Sequence, residues 1–278
     1  MNSQLPWLKR HPLFLFFILA YAITWAIWAP LLASAQGILE RPPSPYLHLL
    51  GWIGPMLAAL IVTGITTGKV GVGKLFRRMV HWRVGLTWNL IAWLSPVVLF
   101  VFAAVIVRVA WGAWPDFIRF GQSEEFPKLP LLVYWALNFV FYGWGEETGW
   151  RGFALPRLQK GRSAWIATLL LSIFWATWHL PLFWFVDGFM KMGVGGAIGW
   201  YFSILSGAIL LTWLYNSTKG SILITAIFHG TVNIVFSSPA PADLAAVTGV
   251  MMMLWSIIVL LIDNPATLSR SRLKVIEP

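Results

Sequence analysis

Cysteine is absent from all 278 residues. Disulfides, thiolate metal sites and cysteine nucleophiles are therefore excluded together. Charge is nearly as scarce. Asp, Glu, Lys and Arg make up 11% of the chain, against about 25% in an ordinary soluble domain. So few charged groups cannot cover a water-facing surface, which excludes a soluble globular protein. Scarcest of all are the acids, ten beside twenty Lys and Arg. With so few carboxylates, the position of each one carries information.

What fills the chain instead is apolar. Hydrophobic residues are 58% of it, and the mean hydropathy is +0.73. A spanning helix takes about 20 mostly apolar residues. Eight stretches qualify, at roughly 13–35, 46–67, 87–111, 131–155, 163–186, 195–215, 220–237 and 245–262. The 19 Trp and 17 Pro suit interfacial belts and broken helices. No loop between spans is long enough for a soluble domain, and no internal repeat is present. The sequence thus predicts an all-α polytopic membrane protein of about eight transmembrane helices. It reads as a single integral membrane domain over 1–278, with the lipid bilayer as its surroundings.

A net charge of +10 would suggest nucleic acid in a soluble protein. Here the basic residues lie between spans, where they set orientation, so no nucleic-acid partner is expected. With the N-terminus in the cytoplasm, fourteen of the 20 Lys and Arg fall inside. Arg41, Arg119, Lys128 and Lys191 fall outside, and Arg108 and Arg151 lie within spans. The bias agrees at every loop and predicts both termini cytoplasmic, in a bacterial cytoplasmic membrane. Lys9-Arg10, an apolar run and Ala33-Ser34-Ala35 resemble a cleavable signal. The run from Leu13 to Ala33 exceeds the roughly 7–15 residues of a signal core, so a retained first helix is expected. The basic stretch 69–85 reads either as an amphipathic segment on the cytoplasmic leaflet or as an ordinary basic loop.

Eight of the ten acids fall in loops, tails or span ends. Glu146 and Glu147 do not. They sit in YGWGEETGWRGF, residues 142–153, about 20 Å into the fourth span at helical rise. A charge at such depth costs about 2.5–3.5 kcal/mol on insertion scales and usually marks function. Glu147 and Arg151 are four apart and share a helix face, which predicts an ion pair. Gly145, Gly149 and Gly152 form a separate stripe for close helix approach. Glu146 lies between these faces, less directly offered to the arginine. A purely structural ion pair would account for Glu147 and leave Glu146 unexplained.

Two histidines lie at comparable depth. His179 in the fifth span follows Trp175 by four residues, and Asn233 in the seventh follows His229 by four. Each pair projects from one helix face. A lone histidine in an apolar helix is more often structural. Two beside a paired carboxylate, one with an Asn on its face, form a constellation. A carboxylate can act as general base towards water, and His and Asn can donate to an oxyanion. Glu146, His179 and His229 could instead hold a divalent metal such as zinc, which lowers the pKa of bound water. No HExxH motif is present, and Asn233 suits an oxyanion donor better than a ligand. The reading without a tightly held metal is therefore preferred.

The three segments Glu146-Glu147-xxx-Arg151, Trp175-xxx-His179 and His229-xxx-Asn233 resemble the ordered motifs of the CPBP family. These are intramembrane endopeptidases related to the type II CAAX prenyl proteases, also called the Abi family. The resemblance covers roughly residues 130–236, taken as the catalytic core on helices four, five and seven. It departs mildly at Trp175, where Phe is usual. The resemblance implies that Glu146 activates water together with His179. It implies that His229 and Asn233 stabilise the oxyanion while Glu147 and Arg151 shape the site. A membrane-associated peptide, lipidated in the prenyl proteases, is the implied substrate. Two other classes use the same buried groups: a proton- or cation-coupled transporter, and a non-catalytic factor such as one for bacteriocin self-immunity. No pair of interrupted helices in symmetric halves supports the first, and the intact constellation argues against the second.

Overall fold

The computed structural model describes residues 10–239 and 242–277. Lys9, which enters the charge count above, lies outside them. Among the described residues all long regular elements are helices. They run in order as α1 (Pro12–Ala35), α2 (Tyr46–Met79), α3 (Leu86–Trp111), α4 (131–158), α5 (Ala164–Trp178), α6 (Val194–Ser217), α7 (Ile222–Ser237) and α8 (Ala242–Ile262). Eight apolar rods are thus present. Six of them are long and apolar enough to cross a membrane by length and composition. The other two are α7, a helix of 16 residues, and α4, which is broken into short pieces.

The rods start and stop for local reasons. Pro12 opens α1 at a position where its missing N–H costs nothing. The N–H of Ile166 donates to Ser163 Oγ at the start of α5, and that of Ile224 to Ser221 Oγ at the start of α7, both at 3.2 Å. Such caps satisfy one of the donors that every helix start leaves open. Pro181 ends the α-helical part of the fifth rod, which continues as a 3-10 turn over Leu180–Trp184. α2 bends at Gly68, whose φ of 65° only glycine adopts readily. Beyond the bend, the stretch that could have been a loop is helical to Met79, with Leu75 buried and Phe76 exposed.

α4 forms the middle of the bundle. It is α-helical over Leu131–Asn138, π-helical over Phe139–Trp144, α-helical over Gly145–Gly149, π-helical over Trp150–Ala154 and α-helical again over Leu155–Leu158. Trp28, Trp150, Phe153 and Trp178 are buried around it, and Phe16 stacks on Phe153. The outward faces of α3 and α8 expose Val98, Val101, Phe102, Leu254, Ile257 and Ile258. An apolar exterior around a polar centre fits lipid surroundings, and the protein is an integral membrane protein.

Candidate active site

The glycine stripe sets the site's spacing. A side chain on Gly145 would run into the Trp52 carbonyl, and one on Gly149 into Pro55. The start of α2 can lie against α4 only because both are bare. This close approach seals Glu146, Glu147 and Arg151, which are 1%, 0% and 0% exposed.

Glu147 is tied down on two sides. Its Oε1 accepts from Arg151 Nη1 at 2.9 Å and from His229 Nδ1 at 2.8 Å. The Arg151 guanidinium also lies 4.4 Å from the centroid of the Trp175 ring, a cation–π contact that strengthens in dry surroundings. Glu146 is held differently. Its Oε2 accepts two indole N–H groups, from Trp175 at 2.5 Å and from Trp150 at 3.3 Å. Its Oε1 faces His229 Nε2 at 3.9 Å, beyond direct hydrogen bonding. The imidazole of His229 therefore stands between the two carboxylates, bonded to one and facing the other.

His179 ends α5. Its Nδ1 lies 2.6 Å from the Trp175 carbonyl. That oxygen can only accept, so Nδ1 carries the proton and, in the neutral ring, Nε2 is left as an acceptor. Trp52, Trp178 and Trp200 surround it at ring-centroid distances of 4.9–5.6 Å. No hydrogen bond or ion pair joins His179 to Glu146 among the described residues. Trp175 links them, donating to Glu146 from its indole and accepting from His179 at its carbonyl. Asn233 sits one turn beyond His229, half-buried, with no side-chain hydrogen bond among the described residues.

The structure thus brings Glu146, Glu147, Arg151, Trp175 and His229 together and places His179 one residue removed through Trp175. Trp150 escaped the sequence reading. The spacing of four that paired Glu147 with Arg151 pairs Glu146 with Trp150, so the signal was present. The contact between Glu147 and His229 spans 82 positions and has no local signal. Among the described residues no three His, Cys, Asp or Glu side chains converge on a possible metal position. The Nδ1 atoms of His179 and His229 and Oε2 of Glu146 are engaged, while Nε2 of each ring and Oε1 of Glu146 make no hydrogen bond among the described residues.

Two comparisons with known proteins bear on this site. Residues 128–235 match the family model of type II CAAX prenyl endopeptidase Rce1-like proteins. Over 213 residues the chain is 25% identical to the CAAX prenyl protease 2 of Methanococcus maripaludis, covering 71% of this chain and 74% of that protein. The class so defined is a membrane-embedded peptide hydrolase. Within that class, the chain is similar to the type II CAAX prenyl endopeptidases.

Proposed function

We propose that the protein is an intramembrane endopeptidase in which Glu146 takes a proton from water. The water oxygen bonds to a peptide carbonyl carbon, and the developing oxyanion receives hydrogen bonds from Asn233 and His229. The C–N bond then breaks, and Glu146 returns its proton to the leaving amine. His179, through its free Nε2, accepts from the same water and orients it. Glu147 and Arg151 hold His229 and the Trp175 ring in place and do not touch the substrate. The reaction so written balances without a metal ion.

The observation that carries this reading is the unequal treatment of the two carboxylates. Glu147 Oε1 is committed to Arg151 and His229 and its Oε2 is sealed without a hydrogen-bond partner among the described residues, while Glu146 keeps Oε1 facing the imidazole edge of His229 at 3.9 Å. A general base is that kind of group: anchored, yet with a lone pair to spare. The name of the relative, CAAX prenyl protease 2, is what suggests a prenylated CAAX peptide as the substrate to try. We read the protein as lying in a bacterial cytoplasmic membrane with both termini inside, on the asymmetry of its Lys and Arg. The test is cleavage in proteoliposomes of a farnesylated CAAX peptide and of the same peptide without its lipid. Wild type is expected to cleave the lipidated peptide, and Glu146→Gln, which keeps the shape and removes the base, is expected to be inert. Cleavage by Glu146→Gln at the wild-type rate overturns the assignment.

A further inference from the structure

Asn138 closes the first α-helical stretch of α4, immediately before the π turns. It is 1% exposed. Among the described residues, Oδ1 and Nδ2 of its carboxamide are both buried without a hydrogen-bond partner. An unpaired buried amide is costly in any protein, and hydrocarbon surroundings offer it nothing. A leucine would occupy the same space without that cost.

Its place in the bundle relates it to the site. One turn earlier on the same face, the Tyr134 hydroxyl donates to Ser237 Oγ of α7 at 3.0 Å. Further along, Phe139 covers Gly230, and Gly143 faces the Ala226 carbonyl. α4 and α7 therefore run antiparallel here, and Asn138 falls between the levels of the Tyr134–Ser237 and Phe139–Gly230 contacts, about one turn along from Gly230. In a continuous α-helix, residues eight apart are about 80° out of line. The wider π turns between Asn138 and Glu146, built on i→i+5 bonds, take up that excess and turn Asn138 towards the face of Glu146.

We propose that Asn138 holds the substrate's backbone beside the scissile bond. Its Nδ2 donates to a peptide carbonyl and its Oδ1 accepts from a peptide N–H. The proposal rests on the endopeptidase reading above and adds a substrate contact to it. A peptide cut inside a membrane must be unwound at the cleavage site, and unwinding strands its N–H and C=O groups in a medium that cannot satisfy them. A carboxamide offers both complements from one planar group.

The experiment compares wild type, Asn138→Leu, Asn138→Ala and Glu146→Gln in proteoliposomes on the farnesylated CAAX peptide. Each enzyme is also given peptides in which single backbone N–H groups near the scissile bond are replaced by ester oxygen. For both Asn138 variants, kcat/KM is expected to fall about ten-fold or more. The melting temperature of Asn138→Leu should be unchanged or raised. At one position the ester should slow wild type several-fold and leave the Asn138 variants nearly unaffected, the coupling expected of two groups in contact. Wild-type cleavage by either Asn138 variant overturns the proposal. So do equal ester effects in wild type and variant at every position, which would mark Asn138 as a packing residue. An inert wild type, or an active Glu146→Gln, sinks the endopeptidase reading and this contact with it.

Discussion

Arg151 is fully buried, and of its guanidinium nitrogens Nη1 alone meets Glu147, while Nε and Nη2 have no partner among the described residues. A forked pair would be stronger, but here Arg151 and His229 share Glu147 Oε1 and Oε2 has no hydrogen-bond partner among the described residues. Removing Arg151 would leave a carboxylate in a sealed space with only an imidazole to balance it. Breaking a buried ion pair from one side typically costs about 3–5 kcal/mol. Arg151→Ala is therefore expected to lower the yield of folded protein and its melting temperature in detergent. Glu146→Gln should leave both unchanged, because the amide oxygen can still accept the two indole N–H groups. Equal stability of Arg151→Ala and wild type would refute the tether. The same residues bear on metal. Active protein is expected to carry far less than one zinc per chain. One zinc per chain, with activity lost on stripping and regained on zinc return, would refute the glutamate mechanism.

At the scale of the element, α4 carries the polar chemistry because its glycines let α2 lie against it. An added methyl group on Gly149 would approach Pro55 Cβ within 2.5 Å and its carbonyl oxygen within 2.6 Å. Neither is the end of a flexible side chain, so the helices must part. Overpacking of this kind costs about 1–3 kcal/mol, and Gly149→Ala is expected to lower the melting temperature and activity together. Gly64 of α2 meets nothing within 4 Å, so Gly64→Ala should be neutral or slightly stabilising. A melting temperature unchanged in both would show that the close approach does not limit stability. The glycine stripe and the Glu147–Arg151 pair were legible in the sequence because both follow from helical spacing. The π turns were not, since a steady period of 3.6 was assumed and an inserted residue leaves no local mark. The place of His229 between the carboxylates depends on how α7 docks, which spacing along one helix cannot reveal.

At the scale of the molecule, the contacts sort the helix ends into two sides without reference to charge. Glu277 near the end of the chain pairs with Arg78 at 2.5 Å and Arg157 at 3.0 Å, and Arg78 donates to the Tyr215 hydroxyl at 3.2 Å. The far ends of α2, α4 and α6 therefore share one side with the tail. On the other, His48 pairs with Glu125, the Gly121 N–H donates to Ser238 Oγ, and Phe185 packs on His48. The connections after α1, α3, α5 and α7 meet there. In that alternation eight helices among the described residues, the broken α4 and the short α7 included, run in sequence from one side to the other. The first side carries Lys69, Lys74, Arg77, Arg83, Lys160, Arg162 and Lys219 besides the clasped arginines, and the second carries Arg41, Arg119, Lys128 and Lys191, with Arg108 in the last turn of α3 beside them. The positive-inside rule is the ground for proposing that the first side faces the cytoplasm. Alkaline phosphatase fused within residues 112–130 is thus expected to be active, and a fluorescent protein fused after Lys274 to fluoresce. A cytoplasmic signal from the 112–130 fusion would invert the orientation. It would put the arginine clasp and the tail outside, where the charge bias argues against them.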